Sequence, residues 1–164
     1  MRTRKQVAEY QDKIRLAVAL RDGDTEVLSE YINRTSLDLS GCDSLENVNG
    51  LADCTKLTSL DLSGCDFLEN VDGLANCTSL TSLHLSSCGS LQNVDGLARL
   101  TSLTDLDLSD CSALENVDGL VNCTGLTDLN MSGCGLVQPR SPTDRMQKRT
   151  TVAAYQGRIR KAMK

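Results

Sequence analysis

Eight cysteines and a single histidine are the residues of this 164-residue chain whose types invite a chemical reading. Thiols in that number suggest zinc, a disulfide framework or redox work, and spacing decides among them. Cys42, Cys65, Cys88, Cys111 and Cys134 stand 23 residues apart, while Cys54, Cys77 and Cys123 share a second phase in which Leu100 fills the fourth place. A structural zinc needs four converging ligands, with pairs at short spacings such as C-x₂₋₄-C, and this chain has no such pair. Leucine can replace a packed thiol but not a ligand. The cysteines are therefore read as small buried hydrophobes, with the Cys42 series also placed to donate weak S–H bonds to backbone carbonyls in the turn after each strand.

His84 falls between Asp61 and Asp107 when the sequence is set in its 23-residue register. As a metal site the trio lacks further soft ligands and lies open to water. A triad of Ser82, His84 and an Asp would lack an oxyanion hole and an enclosing cleft, and Ser82 and His84 would share one strand. The reading kept is an imidazole that relieves repulsion in a column of carboxylates. The acidic turns Glu46-Asn47-Val48-Asn49-Gly50, Glu69-Asn70-Val71-Asp72-Gly73, Gln92-Asn93-Val94-Asp95-Gly96 and Glu115-Asn116-Val117-Asp118-Gly119 suggest calcium. They lack the EF-hand spacing and offer few converging oxygens each, so they are read as solvated turns. No catalytic residue, metal or cofactor is expected, and no Gly-rich phosphate loop is present.

The element that positions these residues is a repeat. LDLSGC at Leu37, LDLSGC at Leu60, LHLSSC at Leu83, LDLSDC at Leu106 and LNMSGC at Leu129 recur at a constant step of 23 residues. In the second unit the apolar positions are Leu57, Leu60, Leu62, Cys65, Leu68, Val71, Leu74 and Cys77. Leu60 and Leu62 alternate with Ser59, Asp61 and Ser63, the period of a short strand with one buried face. From Leu68 to Cys77 the step is three, which suits 3₁₀-like turns, and Gly50, Gly73, Gly96 and Gly119 recur where a sharp bend is expected.

Through LxxLxLxxC followed by LxxVxxLxxC, over roughly residues 34–137, the chain resembles the leucine-rich-repeat family, in the short-coil form of internalin-type proteins with Cys at the usual Asn position. The resemblance implies an α/β solenoid with a curved parallel sheet of about five strands, one per unit, lining a concave face. It does not by itself imply a function.

Such coils need sealed ends. In residues 4–21, Val7, Tyr10, Ile14, Ala17 and Val18 form one helical stripe, and Asp24 is the expected N-cap of a second short helix carrying Val27, Leu28, Tyr31 and Ile32. Ser141 as N-cap, Pro142 at N1 and Asp144 at N3 announce a last helix, with Val152, Tyr155, Ile159 and Met163 as its stripe. The expected organisation is an N-terminal helical cap at 1–33, repeats at 34–138 and a basic C-terminal helix at 139–164. The two ends also resemble each other: six of nine positions are identical between Val7–Arg15 and Val152–Arg160. That likeness raises the expectation of self-association through the last helix, or of a helix-plus-repeats module that starts again.

Charge is segregated. Residues 1–34 carry seven basic and six acidic groups, residues 35–135 two basic and fifteen acidic, and residues 136–164 eight basic and one acidic. On the outward strand positions the acidic, small-chained face comprises Asp38, Ser59, Asp61, Ser82, His84, Asp105, Asp107, Asp128 and Asn130. This face is expected to bind a basic protein or peptide and not nucleic acid, whose phosphates need Lys and Arg. The charged, polar start of the chain reads as neither signal nor anchor, so membrane attachment is not expected and a cytoplasmic location with reduced thiols is.

Overall fold

Alternation over three residues followed by apolar positions three apart gives each 23-residue unit one strand and one 3₁₀ turn. A computed structural model of the chain describes residues 3–137, 145–146 and 149–164. The strands are β1 (Ser36–Asp38), β2 (Ser59–Asp61), β3 (Ser82–His84), β4 (Asp105–Asp107) and β5 (Asp128–Asn130). They pair in parallel, each residue facing its counterpart one unit later. A sixth strand, β6 (Arg145–Met146), closes the last edge antiparallel to β5 where the sequence predicts the start of the last helix, because the open edge of β5 offers unpaired backbone groups. Opposite the sheet lie the 3₁₀ turns η1 (Asn49–Leu51), η2 (Asp72–Leu74), η3 (Asp95–Leu97) and η4 (Asp118–Asn122). The chain is thus an α/β leucine-rich-repeat solenoid.

All eight inward positions of the second unit, from Leu57 to Cys77, are fully buried, and the same holds in the third. The cysteines belong to this core as free thiols. The Cys42 series also donates as the sequence suggested: the Sγ of Cys65, Cys88 and Cys111 lies 3.2, 3.2 and 3.1 Å from the carbonyls of Leu39, Leu62 and Leu85 in the preceding coil. The second series does likewise, Cys77 to Leu51 at 3.4 Å and Cys123 to Leu97 at 3.2 Å. Burial pushes Cys65 and Cys123 up to about 12 and Cys77 and Cys88 up to about 11, so these thiols stay protonated at neutral pH.

The recurring glycines act differently from the sharp bend expected of them. Gly73, Gly96 and Gly119 have ordinary φ; a Cβ there would run into the backbone carbonyls of Val48, Val71 and Val94 one coil back. They are small because adjacent coils touch. The left-handed backbone lies instead just before the first cysteine series, at Gly41, Gly64 and Gly133, and there Ser87 and Asp110 also adopt it with φ of 60° and 59°.

Two helices close the first coil. Thr3 caps α1 (Arg4–Asp22) in a reciprocal box with Gln6, and Gly23 ends it in the left-handed conformation. Asp24 caps α2 (Thr25–Ser29) as expected, accepting from the amides of Glu26 and Val27, but the helix ends before Tyr31 and Ile32, which lie in the turn that follows. Arg15 clamps the hairpin by donating from both terminal guanidinium nitrogens to Glu30. The buried face of α1 is Leu16, Ala17, Ala19 and Leu20, whereas Val7, Tyr10, Ile14 and Val18 of the expected stripe are 42, 49, 45 and 38% exposed. The sequence carries two apolar faces, and the coil takes the later one.

At the other end α3 (Arg149–Ala162) buries Val152, Tyr155 and Ile159 completely, but Met163 of the expected stripe is exposed. It packs on η4 and β5 of its own chain. Ser141, Pro142 and Asp144 lie outside the described residues.

Two substitutions separate the roles of glycine. Gly96→Ala is expected to lower urea stability by roughly 1–3 kcal/mol, because the added methyl must push two backbones apart. Ser87→Gly is expected to raise it by about 0.5 kcal/mol, the relief of left-handed strain exceeding the entropy that glycine adds to the unfolded chain. Both are read from equilibrium unfolding by circular dichroism.

Candidate protein-binding face

Strand register converts sequence spacing into columns. Ser36, Ser59, Ser82, Asp105 and Asp128 form one, and Asp38, Asp61, His84, Asp107 and Asn130 the next. Within a parallel sheet neighbouring members stand about 4.8 Å apart. From Ser59 to Asn130 these residues are half-buried, and in β1 Ser36 and Asp38 are exposed. All nine residues singled out in the sequence therefore share one side of one sheet.

The carboxylates of the second column are held by the turn that follows them. Asp38 Oδ1 accepts from the amide and hydroxyl of Ser40 at 2.9 and 2.7 Å, and Asp61 Oδ1 accepts from the Ser63 amide at 2.9 Å. Asp107 Oδ1 accepts from the amide and hydroxyl of Ser109 at 2.8 and 2.6 Å. Asn130 repeats the arrangement with Ser132 at 3.2 and 2.8 Å. Burial works against ionisation of Asp107, but bonds from Ser109 and Asn130 and the neighbouring His84 outweigh it and hold the carboxyl below its usual range. Asp38, though exposed, is partly desolvated by its neighbours, and there Lys13 and Ser40 overcome that effect.

His84 lies between these acids, its Nε2 3.2 Å from Ser82 Oγ. The contact joins two side chains of one strand on an open face. Among the described residues no group of three or more His, Cys, Asp or Glu comes together as a metal would require. The Asn of each acidic turn is occupied: Asn47, Asn70, Asn93 and Asn116 accept from the amides of Asn49, Asp72, Asp95 and Asp118, opening the 3₁₀ turns.

Two features were missed in the sequence. Lys13 reaches from α1 to Asp38, 2.7 Å away, and donates to Ser40, so the first rung is neutralised by the cap. Nothing local in the sequence signals that, because the two lie on different elements. The second was legible as an invariant residue: Thr58, Thr81, Thr104 and Thr127 each donate a hydroxyl to the carbonyl of the Thr one unit earlier, edging the face with a continuous rail.

Beyond the first rung the face runs into a groove of about 610 Å³ between α1 and β1, whose walls include Glu9, Asp12, Tyr31, Arg34 and Asp38. Tyr31 donates to Asp12 at 2.7 Å, and its phenol is pushed up to about 12 by burial and by that carboxylate.

A family profile described as the Endo-beta-N-acetylglucosaminidase EndoS LRR domain matches residues 2–118. No curated protein matches the chain significantly. Among solved structures, internalin C2 of Listeria monocytogenes is similar at 19% identity, over 69% of this chain and 71% of that one, with a TM-score of 0.40. TLR13, in complex with ssRNA13, is 18% identical over 69% of this chain and 18% of its own, with a TM-score of 0.38. The plant peptide hormone receptor RGFR1, in complex with RGF2, is 16% identical over 67% and 29%, with a TM-score of 0.25.

The lowered carboxyls fix a pH dependence. Folded Asp38 and Asp107 hold protons less readily than the unfolded chain, so their stabilisation is complete above the unfolded value near 3.9 and is lost as pH falls through the lower folded value. Urea midpoints taken from pH 7 to pH 2.5 are expected to fall, and to fall less in Asp107→Asn, which keeps the turn bonds without titrating.

Proposed function

The chain belongs to the leucine-rich-repeat family of the EndoS domain, and from that premise we propose that it is a non-catalytic protein-interaction module whose acidic strand face takes a basic protein or peptide segment. The observation that carries the reading is a comparison within one column. Asn130 makes the same turn bonds to Ser132 that Asp107 makes to Ser109, so the fold is served without the negative charge. Yet, beyond Asp38, whose charge Lys13 takes up, Asp stands at Asp61 and Asp107 and again at Asp105 and Asp128 in the next column. Charge beyond what folding needs is available to a ligand.

Fifteen acidic against two basic groups over residues 35–135 set the sign of that ligand. A cationic segment would be steered to the face, and the phosphates of a nucleic acid would be repelled. The face has no Trp, Tyr or Arg, the residues that commonly anchor interfaces, so the partner supplies the long side chains and this protein the carboxylates. Ser82 and His84 form a middle rung without a carboxylate. Free thiols suit a reducing compartment, and a cytoplasmic setting is part of the proposal. The alternative, in which the terminal helices join this module to further repeats or to its own copies, has separate support in the exposed stripe of α1.

Calorimetric titration with an octa-arginine peptide tests the reading on the intact chain. Binding is expected to weaken at least tenfold from 50 to 300 mM salt, and at least tenfold again in the quadruple variant with Asp61, Asp105, Asp107 and Asp128 each changed to Asn. Equal affinity of that variant, with its unfolding transition intact, would sink the proposal.

A further inference from the structure

The open side of α1 is matched, residue for residue, by a surface that is already docked elsewhere in the same chain. Val7, Ala8, Tyr10, Gln11, Ile14 and Arg15 are identical to Val152, Ala153, Tyr155, Gln156, Ile159 and Arg160, at a constant offset of 145 residues. In α3 the apolar members, Val152, Tyr155 and Ile159, are fully buried against the last coils. Gln156 Nε2 donates to the carbonyls of Leu120 and Cys123 at 2.7 and 2.9 Å, and Arg160 Nη2 to that of Val121 at 3.2 Å.

The Gln156 bond is informative because of what it replaces. The carbonyls of Leu51 and Leu97 accept the thiols of Cys77 and Cys123 from the coil that follows. Leu120 holds the same place in the last full coil, and there the donor is Gln156. The side-chain amide stands in for the next coil's thiol, which makes this face of the helix a fitted terminus for a coil of this sequence.

In α1 the same residues lie on the solvent side, Arg15 there being held by Glu30 at the C-cap of α2. Val7 and Ile14 are 42 and 45% exposed, and Gln11 and Arg15 are exposed too. At about 100° per residue Val7, Ile14 and Val18 fall within roughly 40° of one another, with Leu16 and Leu20 on the opposite side of the helix. That opposite side meets Leu28 and the backbone of Gly50 in the first coil. One helix type thus has two coil-binding faces: the earlier one fits the end of a solenoid, as in α3, and the later one fits a beginning, as in α1. Charge agrees, since α1 carries five basic against three acidic groups and the coils are strongly acidic.

We propose that the Val7–Tyr10–Gln11–Ile14 face of α1 is a docking surface for the last coil of a second copy of this module, where α1 takes the place that the α3 of that copy fills in the single chain. A single helix then closes the coil before it and opens the coil after it, and modules join through shared helices with both faces filled. This stands apart from the acidic-face reading, and neither needs the other.

A fused chain tests it, in which residues 1–151 run directly into residues 7–164, so that α1 of the second copy, with its own Val7, Tyr10, Gln11 and Ile14, replaces α3 of the first at the same register. The two copies are expected to unfold in urea as one transition, with a slope about twice that of the single chain. Val7→Gln with Ile14→Gln at the shared helix is expected to split it into two transitions. In the single chain, Val7→Gln with Ile14→Gln is expected to leave the midpoint unchanged, because that face serves a neighbour. Two transitions in the unaltered fused chain would overturn the proposal. So would a fused chain that fails to fold, which would mean that one helix cannot hold both coils, or a lowered midpoint in the single-chain variant.

Discussion

Every coil hangs on the one before it through backbone groups one repeat apart, and the rest of the structure depends on that ladder. The amides of Thr58, Thr81, Thr104 and Thr127 reach the carbonyls of Thr35, Thr58, Thr81 and Thr104 at 2.8 to 2.9 Å, and the bonds of Leu39 to Asp61 and Leu62 to His84 run the other way. A unit of 23 residues cannot bury its own apolar side, so these bonds do more than satisfy polar groups; they bring each leucine layer onto the next. Register follows. A slip of one residue would turn Leu60 outward and Asp61 inward, which the core forbids.

Close approach is the condition for the ladder, and it explains residue choices that hydrophobicity does not. Where two coils touch backbone to backbone the residue is Gly73, Gly96 or Gly119. Where a side chain must fill a small space and still serve a carbonyl, it is Cys, an apolar group with one weak donor. Leu100 shows that filling is the stronger need, since a larger apolar side chain without the thiol remains fully buried there. Such cysteines are packing residues first, and their raised pKa values follow from that packing.

The repeat, the inward positions, the thiol donors and the Asp24 cap were legible because each is set by local spacing repeated several times. What escaped was set by contact between elements. The α1 pattern contains two apolar stripes, and sequence periodicity favours the one beginning at Val7 because it is longer and better spaced. Only the position of the first coil decides for Leu16 and Leu20. The link from Lys13 to Asp38 has the same character, as does the role of the glycines, which depends on a carbonyl one coil away. For the acidic face, the columns could be written down from the repeat alone. The serines that hold each carboxylate could not, because their role lies in the geometry of the turn.

The two ends of a solenoid pose opposite problems, and this chain answers both with one kind of helix. At the start, the first layer needs an apolar lid, supplied by Leu16, Leu20 and Leu28. At the finish, the last layer has apolar surface to cover and also carbonyls that expect a following coil, so the lid must donate as well as pack. Gln156 and Arg160 add those donors to Val152, Tyr155 and Ile159. A lid made only of leucines would leave the carbonyls of Leu120 and Val121 without these partners in a place shielded from water, a penalty that works directly against the stabilisation its packing supplies. That difference explains why the finishing face carries a glutamine and an arginine among its apolar residues. It also makes the same combination on the open side of α1 more specific than an exposed stripe of apolar residues alone.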